Sequence, residues 1–303
     1  MDGSEPESWT IARVLVWAAR DLRQRGSATA RLDAELLLAH ALGCDRIRLI
    51  VEGARPLGPA ELAAYRELHR RRRAGEPVAY LRGEREFYGR PFAVDARVLG
   101  PRPETEILVE VALARSRQRR LSARVLDLCT GSGCVAITLA KERPTLRVLA
   151  SDVSAGALEV AGHNAVRLGA VPALGLVCSD FYRAMGDYRG FFDLITANPP
   201  YLSDDEMAAL PADVRDFEPH LALSAGPDGL GPTRQIVAGA PALLAPGGVL
   251  ALEVAAGRAA EVRALLVGAG FGEIDTARDY AGIERVVSGV FGQQPFAPGP
   301  ARG

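Results

Sequence analysis

The segment Asn198-Pro199-Pro200-Tyr201 follows an apolar stretch of this 303-residue chain and carries residue types suited to holding a ligand. Because proline has no backbone N–H, two consecutive prolines cannot continue a helix or a central strand. The segment is therefore predicted to be a stiff loop in which the side-chain oxygen of Asn198 and the carbonyl oxygen of Pro199 lack a nearby backbone donor. These two acceptors could hold both hydrogens of a planar NH2 group, with Tyr201 packed on its face. A rigid turn without a ligand is the structural alternative.

Such a pocket suits chemistry on an amide nitrogen. A carboxamide nitrogen is a poor nucleophile, because its lone pair is delocalised into the carbonyl group. Fixed acceptors would orient it toward an electrophilic methyl group, and this alignment lowers the reaction barrier. Transfer from a sulfonium ion needs no strong acid or metal. The four cysteines and four histidines show no zinc-like spacing, so no metal site is expected.

A second candidate ligand site is the segment DLCTGSG (127–133), where a predicted strand runs into a glycine-rich turn and then a helix. Glycine lets a ligand approach the backbone, and the helix N-terminus presents free N–H groups. Asp152 ends the next predicted strand, where an acid can hydrogen-bond ribose hydroxyls. However, residues 131–136 also fit the dinucleotide pattern G-x-G-x-x-A. These features alone leave open a nicotinamide dehydrogenase, a methyltransferase or a tight turn without a ligand.

Asp180 and Phe181 follow the third predicted strand. An acid and an aromatic ring at that position could hold the exocyclic amine and the ring face of an adenine. Taken alone, an acid at a strand end is more often a loop or capping residue.

Composition limits the classes of protein that fit. Lys plus Arg is 36 and Asp plus Glu is 37, which gives a net charge of −1. A protein with this charge is not expected to bind nucleic acid through its overall electrostatic attraction. The acidic N-terminus lacks the apolar core of a signal peptide, and no run of about 18 apolar residues predicts a membrane span. We therefore expect a cytoplasmic protein whose cysteines are reduced.

Apolar residues recur at helical spacing between residues 8 and 82, which predicts a small bundle of short helices, with Gly43 as one C-terminal cap. The run Arg70–Arg73 is either a solvated helix end, where cations favour the helix dipole, or a contact for an acidic or RNA-bearing partner. Residues 84–98 predict a β-hairpin with its turn at Gly89.

Strands and helices alternate from residue 124 onward. Repeated strand–helix units of this length predict an α/β protein with a parallel, doubly wound sheet. Two final strands are predicted at 271–279 and 284–292. The Pro/Gly-rich tail, 293–303, is predicted to be disordered.

Taken together, DLCTGSG, Asp152 and NPPY resemble the class I S-adenosylmethionine-dependent N-methyltransferases. Four further segments resemble the HemK/PrmC family, the N5-glutamine methyltransferases of peptide chain release factors. These segments are LDAELLLAHALG (32–43), EPVAYLRGEREFYGRPF (76–92), PRPETE (101–106) and EPHLALSAGPDGL (218–230). The resemblance extends over about residues 10 to 292, nearly the whole chain.

The resemblance implies a Rossmann-like, seven-stranded class I methyltransferase sheet whose last strand is antiparallel. It also implies a helical substrate-docking domain at 1–82, a hairpin linker at 83–103 and a methyltransferase domain at 104–292, ahead of the tail at 293–303. The implied reaction moves a methyl group from S-adenosyl-L-methionine to the glutamine of the Gly-Gly-Gln motif in class-1 peptide chain release factors. S-adenosyl-L-homocysteine is the product.

Individual roles follow from the same resemblance. The loop residues would line the methionine part of the cofactor, Asp152 would hold the ribose and Phe181 would stack on or flank the adenine. Asn198, Pro199, Pro200 and Tyr201 would hold the substrate glutamine, with Asn198 also near the transferable methyl group. The loop residues concerned are Cys129, Thr130, Gly131, Ser132 and Gly133.

Two positions depart from the family pattern. Cys129 stands where many members have the first glycine of the loop, and we expect it to adopt ordinary backbone dihedrals and to leave cofactor binding intact. Phe181 stands where some members have tryptophan or leucine.

Other functions stay open at this point. A sister family methylates a glutamine in a large-subunit ribosomal protein, but its linker is expected to lack the full PRPETE string. A DNA adenine methyltransferase would need a basic cleft, which the net charge of −1 disfavours. A nicotinamide oxidoreductase leaves NPPY unexplained, and a non-enzymatic ribosome-associated binder leaves both motifs unexplained. We expect a monomer that contacts a protein substrate and neither membrane nor nucleic acid.

Overall fold

The computed structural model of the chain describes residues 8–117 and 119–292. The chain divides into two compact units. The first comprises Met1–Glu84 together with Pro211–Phe217, and the second comprises Arg85–Leu210 together with Glu218–Gly303. The predicted disordered tail at 293–303 lies outside the described residues, and nothing in the sequence indicated that Pro211–Phe217 would belong with the N-terminal helices.

Helices and strands occur in the following places along the described residues. The helices are α1 (Ile11–Gln24), α2 (Ala30–Leu42), α3 (Arg46–Val51), α4 (Pro59–Arg73), α5 (Val78–Arg82), α6 (Glu106–Arg117), α7 (Cys134–Glu142), α8 (Ala155–Arg167), α9 (Asp204–Ala208), α10 (Ala212–Arg215), α11 (Gly231–Leu243) and α12 (Ala259–Gly268). The strands are β1 (Glu84–Phe87), β2 (Arg90–Ala93), β3 (Arg124–Leu128), β4 (Arg147–Asp152), β5 (Leu174–Cys178), β6 (Phe192–Ala197), β7 (Leu244–Glu253), β8 (Phe271–Arg278) and β9 (Glu284–Phe291).

The first unit is helical, as the sequence predicted. Helix α1 buries residues at positions three and four apart, including Val14, Leu15, Ala18 and Leu22, against α2. Helix α2 ends at Gly43, which adopts the left-handed conformation with a φ of 62° and caps the helix as predicted.

The arginine run at the end of α4 is held by ion pairs inside the first unit. Arg70 pairs with Glu67 at 2.6 Å and Arg72 pairs with Asp33 at 2.9 Å. Arg71 pairs with Glu76, and Arg73 with Asp21. The run therefore ties α4 to α1 and α2, which gives it a structural role in addition to the helix-dipole effect.

A seven-stranded sheet forms the centre of the second unit, in the order β5-β4-β3-β6-β7-β9-β8. Strands β3 to β7 pair in parallel, whereas β9 is antiparallel to both β7 and β8. The predicted parallel sheet with an antiparallel last strand is thereby confirmed.

Successive residues of β3 point to opposite faces of the sheet, and each face has its own core. Val125 belongs to a cluster that includes Leu108 of α6 and Val135 of α7. Leu126 belongs to a second cluster with Ile236 of α11 and Leu266 of α12. These two layers bury both faces of the sheet, so the carboxyl ends of its strands are left as the place for a ligand site.

The predicted hairpin is present as β1 and β2. Tyr88 and Gly89 between the strands both have positive φ, 51° and 70°, which matches the tight turn that suits the twist of a two-residue hairpin. Phe87 and Phe92 are buried beside it and meet edge to face.

Candidate active site

A cavity of about 380 Å³ opens at the carboxyl ends of the parallel strands, within the second unit. This size is in the range of small-molecule sites. Most of the predicted site residues line it, whereas Gly133, Pro199 and Tyr201 lie outside the lining. The predicted residues in the lining are Cys129, Thr130, Gly131, Ser132, Asp152, Phe181, Asn198 and Pro200.

The loop after β3 turns through three residues with positive φ. Gly131 and Gly133 have φ of 54° and 79°, and Cys129 has a φ of 55°. The expectation of ordinary dihedrals for Cys129 is therefore wrong: the residue keeps the left-handed conformation that a glycine adopts without strain. A side chain in this conformation costs about 1–2 kcal/mol. At Gly133 a Cβ atom would also lie 2.9 Å from Cδ1 of Ile137.

Asp127 anchors the start of this loop from inside the protein. Its carboxylate accepts hydrogen bonds of 2.7 Å from the hydroxyl groups of Thr130 and Thr196. Burial raises the pKa of Asp127 to about 6, while the two hydroxyl groups favour its charged form. These bonds fix the loop to β6, the strand that ends at the NPPY segment.

Asp152 at the end of β4 is oriented by backbone N–H groups. Its two carboxylate oxygens accept from Gly131 N at 2.9 Å and from Ser154 N at 3.0 Å. Burial raises the pKa of Asp152. Because each oxygen has a second lone pair, the carboxylate can still accept hydrogen bonds from the hydroxyl groups of a ribose.

Asn164 is a positioning residue that the sequence did not reveal. It is fully buried on α8, and its Nδ2 donates to the carbonyl oxygens of Ser132 at 2.9 Å and Ala93 at 3.0 Å. Its Oδ1 accepts from Ala93 N at 2.8 Å. One side chain thus ties the glycine loop to strand β2.

Phe181 follows β5 with a φ of 45°, an uncommon conformation for a residue other than glycine. Ser179 holds this turn, because its hydroxyl donates to the carbonyl oxygen of Phe181 at 2.8 Å and accepts from Ala184 N at 3.0 Å. The side chain of Asp180 is 43% exposed and pairs with Arg183 at 3.3 Å. The hydrogen bonds of Ser179 therefore fix the backbone turn that carries Phe181 at the cavity wall.

The NPPY segment begins directly after β6. Asn198 donates from Nδ2 to Oγ1 of Thr105 at 3.3 Å. Within residues 8–117 and 119–292, neither Asn198 Oδ1 nor the carbonyl oxygen of Pro199 accepts a hydrogen bond. Burial raises the pKa of Tyr201 to about 12, so its phenol stays neutral near pH 7. These are the two acceptors that the sequence analysis singles out, and of the two residues Asn198 lines the cavity whereas Pro199 does not.

An ion pair brings together two of the segments that carry the family resemblance. Arg102 of PRPETE donates from Nη2 to both carboxylate oxygens of Glu218, each at 2.7 Å. Glu218 is buried and begins the segment EPHLALSAGPDGL. Residues of both segments line the cavity, so the pair holds two parts of its wall in register.

These residues fit S-adenosylmethionine in each of its parts. The N-terminus of α7 and the glycine loop offer backbone N–H groups and a close approach to an amino-acid moiety, Asp152 offers ribose acceptors and Phe181 offers a ring face. Fold and site together define a class I S-adenosylmethionine-dependent methyltransferase. A solved structure, the hMettl16 catalytic domain with a 3'UTR hairpin, has the same fold, with a TM-score of 0.56 and 14% identity over 77% of this chain and 84% of that chain.

Comparison with known sequences identifies the family. The PrmC N-terminal domain family matches residues 13–83, and the methyltransferase small domain family matches residues 103–213. The release factor glutamine methyltransferase of Geobacter sulfurreducens is 44% identical over 95% of this chain and 99% of that protein. The protein of the same name from Chlorobaculum tepidum is 43% identical over 94% of this chain and 98% of that protein. The chain belongs to the family of release factor glutamine methyltransferases.

The described residues offer neither a metal site nor a membrane-spanning helix. They contain no group of three His, Cys, Asp or Glu side chains arranged to hold a metal ion. No helix among them has both the length and the apolar character needed to cross a bilayer.

Proposed function

We propose that the chain transfers the methyl group of S-adenosyl-L-methionine to the side-chain amide nitrogen (N5) of the glutamine in the Gly-Gly-Gln motif of class-1 peptide chain release factors. The observation that carries this proposal is the pair of open acceptors at Asn198 Oδ1 and the Pro199 carbonyl. A glutamine side chain ends in the planar NH2 group that such a pair can hold. The shared name of the relatives supports a release factor as the bearer of that glutamine.

We assign cofactor binding to the residues around the cavity. S-adenosyl-L-methionine supplies an electrophilic methyl group on a sulfonium ion. Asp152 holds the ribose, Phe181 flanks the adenine, and the loop from Cys129 to Gly133 lines the methionine part. The carboxylate of Asp152 needs no rearrangement to do so, because two backbone N–H groups already fix it.

We assign the orientation of the substrate to the NPPY segment. Asn198 and Pro199 accept the two amide hydrogens, which points the nitrogen lone pair at the methyl group. The neutral ring of Tyr201 packs on the amide plane, and Pro200 keeps the loop stiff. Holding both partners in line supplies the proximity effect that a weak nucleophile needs.

We also propose a division of labour along the chain. The helical domain at 1–82 docks the release factor, the hairpin at 83–103 is the linker and residues 104–292 carry out the transfer. The PrmC N-terminal match at 13–83 supports a separate role for the first part. The balance of 36 basic and 37 acidic residues favours a protein substrate over nucleic acid. We place the protein in the cytoplasm, as a monomer.

A labelled-methyl assay tests this function. Purified chain, S-adenosyl-L-methionine with a labelled methyl group and a purified class-1 release factor are combined, and peptide mass spectrometry locates the label. The proposal predicts one methyl group on the Gly-Gly-Gln glutamine, lost when that glutamine is replaced in the release factor. No label there, from a chain that S-adenosyl-L-homocysteine still stabilises against heat, would overturn the substrate assignment. Label on a ribosomal protein instead would favour the sister activity.

A further inference from the structure

Asn198 must present the correct end of its amide for the proposed function, on which this inference rests. A primary amide has an acceptor oxygen at one end and a donor NH2 at the other, and only the oxygen can accept from a glutamine NH2 group. Asn198 itself has no means of choosing between the two orientations. A neighbouring group must therefore hold its Nδ2 away from the substrate.

Thr105 is the neighbour of that amide in the structure. Its Oγ1 lies 3.3 Å from Asn198 Nδ2, and the residue is 2% exposed at the end of a short 3-10 helix in PRPETE. A hydroxyl group both donates and accepts, however. Thr105 enforces the required orientation only if its single hydrogen is committed to another acceptor. Otherwise that hydrogen can be donated to Asn198 Oδ1 with the amide turned round.

Glu253 is placed to take that hydrogen. Strands β6 and β7 are parallel with Ala197 opposite Leu252, so the next residue on each, Asn198 and Glu253, are neighbours at the edge of the sheet. Glu253 is 3% exposed, and its Oε2 is buried without a hydrogen-bond partner among the described residues. Thr105 and Glu253 therefore both adjoin Asn198, and the Thr105 hydroxyl acts to lower the pKa of Glu253.

We propose that Glu253 is a positioning residue for Asn198. Its carboxylate accepts the hydrogen of Thr105, so Thr105 Oγ1 accepts from Asn198 Nδ2, and Asn198 Oδ1 faces the substrate amide. An ionised carboxylate enforces this direction, because it has no hydrogen to donate.

The charge of Glu253 then sets the orientation of the amide. Burial and, less strongly, Glu104 raise the pKa of Glu253 to about 7, and the Thr105 hydroxyl, Arg285 and Arg102 oppose this rise. Tyr201 and Cys134 also face it, both neutral near pH 7 because burial raises their pKa to about 12. Below pH 7 the protonated carboxyl can donate to Thr105, which frees the Thr105 hydrogen for Asn198 Oδ1. The account therefore predicts that kcat falls as pH drops through about 7.

Four variants of the full chain test the relay, each assayed for kcat, KM and the dissociation constant of S-adenosyl-L-homocysteine. Thr105→Val keeps the shape but removes the hydroxyl, and should lower kcat about 10-fold to 100-fold through misorientation of the amide. Thr105→Ser restores kcat to within about 3-fold, since it keeps the hydroxyl. Glu253→Gln lowers kcat above pH 7 and removes the fall in kcat below it. Thr138→Val is the matched control, because Thr138 is equally buried but its hydroxyl has no partner among the described residues.

A spectroscopic readout keeps the inference separate from the proposed function. In ¹⁵N–¹H spectra, the side-chain NH2 signals of Asn198, assigned by their loss in Asn198→Ala, should titrate with a midpoint near pH 7 and not titrate in Glu253→Gln. A wild-type chain that methylates the release factor but keeps its kcat and pH profile in both Thr105→Val and Glu253→Gln would overturn the relay. A wild-type chain with the predicted titration but no methylation would overturn the substrate assignment and leave the relay standing.

Discussion

The loop after β3 and the segment after β6 lie at the same edge of the sheet and handle their polar groups in opposite ways. Around the loop after β3, Asp127 of β3 and Asp152 of β4 accept hydrogen bonds from hydroxyl and backbone groups of the protein itself. In the segment after β6, Asn198 Oδ1 and the Pro199 carbonyl accept none from the described part of the chain. The polar groups of the first region are thus paired within the protein, and we call this region the closed half of the site. The two acceptors of the second region are unpaired, and we call it the open half.

This difference matches what each region must bind. A cofactor with many polar groups is held by a loop of fixed shape, and a loop already bonded to itself keeps that shape without a ligand. A substrate amide carries two donors, so its site must keep two acceptors unpaired until the substrate arrives.

Backbone strain follows the same division. Cys129 and Phe181, both in the cofactor half, have positive φ, whereas no residue from 198 to 201 does. Strained residues of this kind cost about 1–3 kcal/mol each and persist where surrounding bonds over-determine them. Here the Asp127 and Ser179 hydrogen bonds supply that constraint.

The largest expected effect is the loss of methyl transfer when an acceptor of the open half is removed. Asn198→Ala should reduce methyl transfer about 100-fold to 1000-fold or more, as for loss of a preorganised polar group at a reacting centre. The fold should stay intact, since Asn198 makes one long hydrogen bond. Single-turnover transfer checks the rate, and calorimetry with S-adenosyl-L-homocysteine should show unchanged affinity. Turnover near that of the wild type would remove Asn198 from the substrate site.

Removing a polar side chain from the closed half should weaken cofactor binding directly. Asp152→Ala should weaken binding of S-adenosyl-L-homocysteine by about 1.5–3 kcal/mol, the cost of losing a hydrogen bond to a charged group. Calorimetry measures this loss, with Asn198→Ala alongside as the matched variant of the open half. Equal affinity in Asp152→Ala and wild type would contradict its role at the ribose.

A third change tests whether close packing around Gly133 limits the residue that the loop after β3 can carry there. Gly133→Ala places a Cβ atom 2.9 Å from Ile137 Cδ1 at a φ of 79°, and should lower the free energy of unfolding by about 1–2 kcal/mol or more. Gly257→Ala is the control, because Gly257 has a similar φ of 83° and open space around it. Chemical denaturation compares the two. If they lose the same stability, the close contact at Gly133 contributes nothing.

The smallest expected effect is an increase in the free energy of unfolding. Cys129→Gly removes the left-handed strain, worth about 1–2 kcal/mol, but adds chain entropy worth about 0.5–1 kcal/mol, so a net stabilisation of about 0–1.5 kcal/mol is expected. Cys129→Ala keeps a side chain in the strained conformation and should show no such gain. Thermal denaturation distinguishes the two variants, and equal melting temperatures would mean that the strain at Cys129 is negligible.

The regular elements of the second unit could be predicted because their periodicity is strong. Alternating apolar strands and helices require a parallel sheet, and its carboxyl edge is where a ligand binds. Two prolines in succession and two glycines in a short turn have few structural interpretations, so both motifs could be placed at that edge. The short helices α3 and α5 were not resolved individually, because each has too few turns to show a period.

The residues that support the site could not be predicted in the same way. Thr105, Asn164 and Glu253 are ordinary residue types whose actual or proposed roles depend on residues far apart in the sequence. The left-handed conformation of Cys129 was missed for a related reason. A cysteine gives no sign of positive φ, and only the loop around it requires that conformation.

A crystal structure with S-adenosyl-L-homocysteine and a class-1 release factor would test the central claim most directly. The account predicts that the Gly-Gly-Gln glutamine places its side-chain nitrogen within hydrogen-bond distance, about 2.7–3.2 Å, of both Asn198 Oδ1 and the Pro199 carbonyl oxygen. It also predicts that Asn198 Nδ2 still donates to Thr105. A glutamine amide bound elsewhere in the cavity, or one that accepts from Asn198 Nδ2, would contradict the account.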